Sequence, residues 1–430
     1  MLSVTRLLCG TTSANDALRY GRKAGKMPAH LLHFSRDKKP VVVWNCTRTC
    51  NLRCIHCYAS SHNEHYPGEL TTDEGRALID DLAQFGSPVV LFSGGEPLMR
   101  PDLFELAAHA KDRGRRAVLS TNGTLIDDST ADRIAEAGFS YVGISLDGLE
   151  GVHDKVRGVK GSFEAAVEGI RRCRQRGIRV GLRYTVHKLN LEELPGIFDL
   201  LESEDIPRCC FYHLAYAGRG DKLQRFDLTH EETRGAIDYV FDRTLDFHQR
   251  GLDKEILTVD NHTDNAYLYL RLLRDQPERA DEVYRLLAWN GGNQSGIAIG
   301  CVDNLGHVHP DQFSWHVDLG NVRERPFSEI WSDTSHPLMA LMKEKPRKIG
   351  GKCSRCRFFE ICNGNLRVRA HSKYDDWRAE DPACYLTEEE IDINLPVPDM
   401  KVLDAVDDDA AAADAALAGE MVAGGGECGP

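Results

Sequence analysis

Several things are missing from the 430-residue chain, and each absence narrows its class. No run approaches the roughly 18 consecutive apolar residues that span a bilayer. Residues 1–35 hold no uninterrupted apolar segment ending in a small-residue cleavage site. These absences predict a cytoplasmic protein without a membrane partner. Positive charge is also short. With 53 Lys and Arg against 66 Asp and Glu, the net charge is −13, which argues against a nucleic-acid partner. Much of that acid sits near the C-terminus, so a local basic pocket for an anionic small molecule remains compatible with it.

Cysteine, by contrast, is abundant: the chain has 14. In a cytoplasmic protein these stay reduced, so clustering points to metal coordination rather than disulfides. Two sets stand out, Cys50/Cys54/Cys57 and Cys353/Cys356/Cys362/Cys384. Cys9, Cys173, Cys209, Cys210 and Cys428 are scattered, and Cys46 and Cys301 are ambiguous.

From residue 40 a strand-then-helix alternation begins. Strand signals lie at Val41–Asn45, Val89–Ser93, Ala117–Thr121, Tyr141–Leu146, Val180–Val186 and Cys210–Tyr216. Amphipathic stretches at about 72–86, 102–114, 128–138, 162–177, 191–204 and 229–250 predict helices. Repeated units of this kind give an α/β fold with a parallel sheet, whose strands present their C-terminal ends on one rim. Six units predict a partial (β/α)6 barrel spanning 40–255. Residues 1–39 form an N-terminal extension. A helix at 264–288 and irregular elements from 295 to 388 make a second, cysteine-rich domain over 256–390. Residues 391–430, rich in Ala, Asp and Gly toward their end, predict a disordered tail.

Cys50-Asn-Leu-Arg-Cys54-Ile-His-Cys57 places three thiolates within eight residues on a loop after the first strand. Three thiolates hold three irons of a cubane and leave the fourth open to an exogenous molecule. Zinc or chance spacing is the plainer alternative. A start at Cys46 is excluded because Arg53 would stand where the third ligand belongs. Cys353-x2-Cys356-x5-Cys362 with Cys384 supplies four thiolates, enough for a closed cluster or for zinc. Gly94-Gly95-Glu96-Pro97 follows the second strand, Ser120-Thr121-Asn122-Gly123 ends the third, and Ser145-Leu146-Asp147-Gly148 ends the fourth.

Cys-x3-Cys-x2-Cys after the first strand with Gly-Gly-Glu-Pro after the second resembles the radical S-adenosylmethionine (SAM) superfamily over most of 40–390. The resemblance implies a SAM-binding [4Fe–4S] cluster on Cys50, Cys54 and Cys57. It also implies cleavage of SAM to a 5′-deoxyadenosyl radical that abstracts a substrate hydrogen. On the same likeness Gly94, Gly95 and Glu96 meet the SAM ammonium; a tight turn is the better account of a Gly-Gly pair alone, but the Glu-Pro that follows it at a strand end favours SAM contact. Ser120, Asn122, Ser145 and Asp147 suit ribose hydroxyls and the SAM carboxylate. Arg183 suits that carboxylate too, or a core-edge salt bridge. His56 stands where many members carry an aromatic, near adenine or simply packed.

The second cysteine set, with Cys301 and the Gly320-Asn321 turn, resembles the SPASM/twitch extension that carries auxiliary clusters. Leu366 and Asp311 stand where fuller members have cysteine, so one auxiliary cluster is expected, making two [4Fe–4S] clusters in all. Trp44–Cys50, His309–Phe313 and Cys362–Ala370 resemble the heme-biosynthesis branch, most closely its enzymes of heme d1 formation. That likeness implies 12,18-didecarboxysiroheme as the tetrapyrrole substrate, removal of propionates from two rings, and a reductant protein such as a flavodoxin or ferredoxin. His307, His309 and His316 are then candidate ligands of the substrate iron, and Asp311 a candidate acid, base or turn cap. Three rivals stay open. A related heme-pathway decarboxylase shares nearly all the motifs. A peptide maturase would carry the fuller cysteine set and a leader-binding region, and a metal-binding scaffold would never cleave SAM.

Overall fold

The computed structural model describes residues 1–11 and 39–398. Its strands are β1 (Leu2–Ser3), β2 (Val41–Thr47), β3 (Val89–Gly94), β4 (Arg116–Thr121), β5 (Tyr141–Ser145), β6 (Val180–Val186), β7 (Arg208–His213), β8 (Glu255–Val259), β9 (Ile299–Val302) and β10 (Val308–His309). They form one sheet in the order β1-β8-β7-β6-β5-β4-β3-β2-β9-β10. Every neighbouring pair from β9 through β2 to β8 is parallel, whereas the two-residue strands β1 and β10 pair antiparallel at the edges.

The six strand–helix units are present, and the parallel sheet is wider than they alone would make it. β8 extends it beyond β7. β9, from the cysteine-rich C-terminal region, adds to its other side against β2. Side chains of β2, β3, β7, β8 and β9 line one cavity, so the sheet curves into an open barrel.

The first helix shows how local sequence builds the unit. Thr71 and Glu74 form a reciprocal capping box at the start of Thr72–Phe85. Gly75, Leu78, Ile79 and Leu82 recur at helical spacing and are buried. Leu78, Ile79 and Leu82 each contribute roughly 1.5–3 kcal/mol by leaving water. Trp44 on β2 is fully buried and lies 5.7 Å, ring to ring, from Phe92 on β3.

Two elements differ from the sequence expectation. The helix expected over 264–288 is two helices, Thr263–Asp275 and Pro277–Asn290. Pro277 cannot donate the backbone hydrogen bond that would continue the first, and it suits the opening turn of the second. A helix at Glu150–Arg157 was not anticipated: its eight residues are too few for a clear period. The expected N-terminal extension and tail lie partly outside the described residues. Within them, β1 and the helix Val4–Leu8 pack on β8 and the short helix Glu388–Ile391 ends the C-terminal region.

The C-terminal region is tied to the barrel rim by a buried ion pair. Arg369 and Asp381 are both fully buried, 2.9 Å apart. Arg369 also donates to the carbonyls of Leu214, just past β7, at 3.1 Å and of Asp260, just past β8, at 2.7 Å.

Candidate active site

Inside the curve of the sheet lies an open cavity with roughly 1890 Å³ of atom-free space, part of it continuous with solvent. Cys50, Cys54, Cys57, Gly94, Gly95, Ser120, Asn122, Ser145 and Arg183 all line it. The parallel topology thus brings together nine of the eleven rim residues read from the sequence. Glu96 and Asp147 stand behind the wall, both fully buried.

Glu96 ties the strand ends together. One carboxylate oxygen accepts from Thr121 Oγ1 at 2.7 Å and Leu98 N–H at 3.1 Å, and the other from Asn122 N–H at 2.8 Å. The glycines before it hold the cysteine loop by close approach. Gly94 has φ +141°, and a Cβ there would meet the Thr47 carbonyl at 2.1 Å. A Cβ on Gly95 would meet the Thr49 carbonyl at 2.3 Å. With no side chains in the way, Gly95 N–H donates to Thr47 O at 2.7 Å and Glu96 N–H to Thr49 O at 2.8 Å, at the root of the Cys50 loop.

Asp147 anchors a second network. Its carboxylate meets Arg157 at 2.6 Å and His56 Nε2 at 3.3 Å, and accepts from Thr185 N–H at 2.9 Å. Burial works against its charge, but Arg157, helped by the Thr185 N–H, outweighs that and holds the carboxyl down to about 2. His56 is driven down to about 3 by burial, despite the attraction of Asp147, and is therefore neutral. Arg157 reaches on to Cys54 Sγ at 3.5 Å, placing positive charge beside the cysteine set. Backbone N–H groups of Leu52 and Ser61 point at the sulfurs of Cys50 and Cys57, at 3.4 and 3.5 Å. Arg219 clamps the loop from the far side, donating to the carbonyls of Cys54 at 2.8 Å and Ser61 at 2.9 Å.

This wall fits a [4Fe–4S] cluster with SAM. Burial, with Glu96 adding to it, pushes the Cys50 thiol up to about 12, and burial raises Cys54 as well. Such thiols stay neutral at pH 7 unless bound metal stabilises the thiolates. The guanidinium and N–H groups around the sulfurs are suited to the negative charge of a ligated cluster. His56 Nδ1 and Arg183 Nε are buried without hydrogen-bond partners on the same wall, where a polar ligand would satisfy them.

Residues 44–201 match the radical SAM superfamily model. The chain is 58% identical to the Fe-coproporphyrin III synthase of Methanosarcina barkeri, over 91% of this chain and 99% of the relative. It belongs to the radical SAM superfamily. It is also 43% identical to the pre-heme d1 synthase of Dinoroseobacter shibae, over 81% and 87% of the two chains. The solved structure of native anSMEcpe with bound AdoMet shares the fold, with a TM-score of 0.63 and 20% identity over 80% of this chain and 94% of that one. As a radical SAM enzyme the chain binds SAM and a [4Fe–4S] cluster.

The remaining candidates of this radical SAM chain separate by place. Cys353, Cys356, Cys362 and Cys384 come close enough that the other three each raise the Cys362 thiol, after burial, which is the main cause. Among the described residues, no three Cys, His, Asp or Glu side chains are arranged to hold a single metal ion. Cys301 sits on β9, fully buried, accepting from Asn45 Nδ2 at 3.1 Å. His307, His309 and His316 do not line the cavity. His307 is paired with Asp318, His309 is buried with Nδ1 2.6 Å from the Val317 carbonyl, and His316 stacks on His371 and Trp377. Asp311 does line it, with one carboxylate oxygen accepting from Phe313 N–H and Ser314 Oγ and the other buried without a partner.

Sequence reasoning missed Arg157, Arg219, His213, Asp260 and His262, all cavity residues. Arg157 lies on the unanticipated helix. His213 ends β7, Arg219 follows it, and Asp260 and His262 follow β8, which was not read as a strand. A strand-end rule applied to β8 would have reached Asp260 and His262.

Among the described residues, no helix is long and apolar enough to cross a membrane.

Proposed function

We propose that this enzyme removes carboxylate-bearing side chains from an iron tetrapyrrole on the route to a heme-type cofactor. The observation that carries the reading is the 58% identity to a Fe-coproporphyrin III synthase along nearly the whole of both chains. Coproporphyrin carries propionate and methyl groups but no acetate. On that likeness the enzyme takes 12,18-didecarboxysiroheme, strips its remaining acetate groups and leaves the propionates. The 43% identity to a pre-heme d1 synthase supports the second reading, loss of propionates from the same substrate.

In this proposal Cys50, Cys54 and Cys57 hold the SAM-binding cluster. With SAM bound, that centre supplies a primary carbon radical able to break an unactivated C–H bond. Gly94, Gly95, Ser120, Asn122, Ser145 and Arg183 bind SAM. Glu96 and Asp147 act from behind the wall, fixing the strand ends and Arg157. Cys353, Cys356, Cys362 and Cys384 hold one auxiliary [4Fe–4S] cluster. A flavodoxin or ferredoxin supplies electrons. The barrel is assigned to 40–255 and the auxiliary-cluster domain to 256–390. The cavity opens to solvent, which gives a macrocycle a way in beside SAM, and its largely apolar wall suits protection of a radical once the substrate fills the opening.

The test is anaerobic reconstitution with iron and sulfide, reduction, and incubation with SAM and 12,18-didecarboxysiroheme, followed by mass spectrometry. The expected result is 5′-deoxyadenosine with loss of two-carbon acetate units and formation of Fe-coproporphyrin III. Loss of three-carbon propionate units would establish the second reading. Deoxyadenosine with an unchanged tetrapyrrole would sink both.

A further inference from the structure

The three histidines singled out as iron ligands by sequence lie away from the cavity, while another histidine on its wall carries the orienting arrangement such a ligand needs. His213, at the C-terminal end of β7, lines the cavity. Its Nε2 stands 3.0 Å from Asp264 Oδ2. Asp264 is fully buried near the start of the helix Thr263–Asp275, and its other oxygen accepts from Tyr385 OH at 2.7 Å. Tyr385 is itself buried in the core. A carboxylate held this way fixes the proton on Nε2 and leaves Nδ1 as the lone-pair nitrogen. That is the usual second-shell arrangement behind a metal-bound imidazole.

We infer that His213 Nδ1 is the axial ligand of the substrate iron, positioned by Asp264 and Tyr385. This inference rests on the tetrapyrrole reading and deepens it. His213 sits on β7, across the curve of the sheet from the Cys50 loop after β2, with the cavity between them. A macrocycle held there by its iron faces the side of the barrel where the radical forms. Coordination also gives a physical basis for preferring an iron-bearing tetrapyrrole to a metal-free one, because only the former gains the Fe–N bond. His262 is the neighbouring alternative on the same wall. Its Nδ1 is buried without a partner and its backbone N–H donates to Asn365 Oδ1 at 2.7 Å, but among the described residues no carboxylate pairs with its ring.

The test uses the full chain with its clusters reconstituted. Ferric coproporphyrin III and metal-free coproporphyrin III are titrated separately, and the iron complex is examined by electron paramagnetic resonance in protein labelled with ¹⁵N-histidine. In the unmodified protein a ¹⁵N hyperfine coupling to the iron is expected. His213→Gly should lose it, bind the iron form about tenfold or more weakly, and bind the metal-free form with unchanged affinity. Added ¹⁵N-imidazole should restore an imidazole-type spectrum together with the ¹⁵N coupling. Asp264→Asn should keep the coupling but weaken iron-form binding, again by about tenfold. Coupling retained in His213→Gly, or lost in His262→Ala instead, would overturn the assignment while leaving the tetrapyrrole reading intact. Failure of the unmodified protein to bind either porphyrin would count against the tetrapyrrole reading itself. Equal weakening toward both porphyrins in His213→Gly would show a structural role and overturn the inference.

Discussion

At the residue scale, the Asp147–Arg157 pair decides how the cysteine loop is held. Arg157 was invisible in the sequence because nothing in Val-Arg-Gly-Val distinguishes a buried guanidinium from a solvated one. Its function follows only from the 2.6 Å contact with Asp147 and the reach to Cys54. Arg157→Gln leaves a buried carboxylate without its cation and should cost about 3–5 kcal/mol. The measurement is urea denaturation at pH 7, with cluster iron determined in parallel; unchanged stability would refute the assignment. His153 gives a pH signature. Burial, aided by Arg157, lowers its pKa to about 4. Between about pH 6.5 and pH 4 the unfolded chain binds a proton there that the folded chain does not, so acidification through that window favours unfolding by about 3 kcal/mol. His153→Gln keeps an acceptor for the Asp147 N–H and should lose this part of the pH dependence. Identical slopes in the two proteins would contradict it.

At the scale of elements, strand ends were legible and what lies behind them was not. Period and turn residues located six strands, and parallel topology alone then predicted that Cys50, Gly94, Ser120 and Ser145 would share a rim. They line one cavity. Whether a strand-end carboxylate faces that cavity or the backbone was not readable, and Glu96 and Asp147 turned out to accept from backbone N–H groups behind the wall. β8 was missed because Glu-Ile-Leu-Thr-Val is short and follows a long helix, where the alternation seemed to have ended. Pro277 was a visible stop signal passed over within a long helical pattern. For Gly-Gly, the turn and the SAM-contact readings find a physical complement in the close approach to Thr47 and Thr49. Gly95→Ala forces a methyl into the Thr49 carbonyl and should prevent reconstitution of the Cys50/Cys54/Cys57 cluster while the folded core survives. The check is loss of all SAM cleavage and, if each cysteine set holds one cubane, of about half the iron, with helical circular dichroism retained. Normal cluster loading would show the contact to be unimportant.

At the scale of the molecule, the two cysteine sets belong to parts of the chain far apart in sequence and joined through the rim. If each holds one cubane, Cys50→Ala should abolish 5′-deoxyadenosine formation. Cys362→Ala should remove about half the iron and impair turnover. Full iron retention in the Cys362 variant would exclude the auxiliary cluster. The joining elements are Arg369 with Asp381, and β9. The strand β2, from which the first cysteine loop springs, has β3 on one side and β9 on the other, and its Asn45 bonds to Cys301 of β9. That arrangement sets a timetable for biogenesis. On the ribosome, β2 emerges with one of its two neighbours still some 250 residues from synthesis. Arg219, which clamps the loop's carbonyls, also arrives long after the cysteines do. A nascent chain therefore offers iron carriers three thiols on an unsupported loop until β9 has been made, and durable loading of the cluster is expected only from that point on.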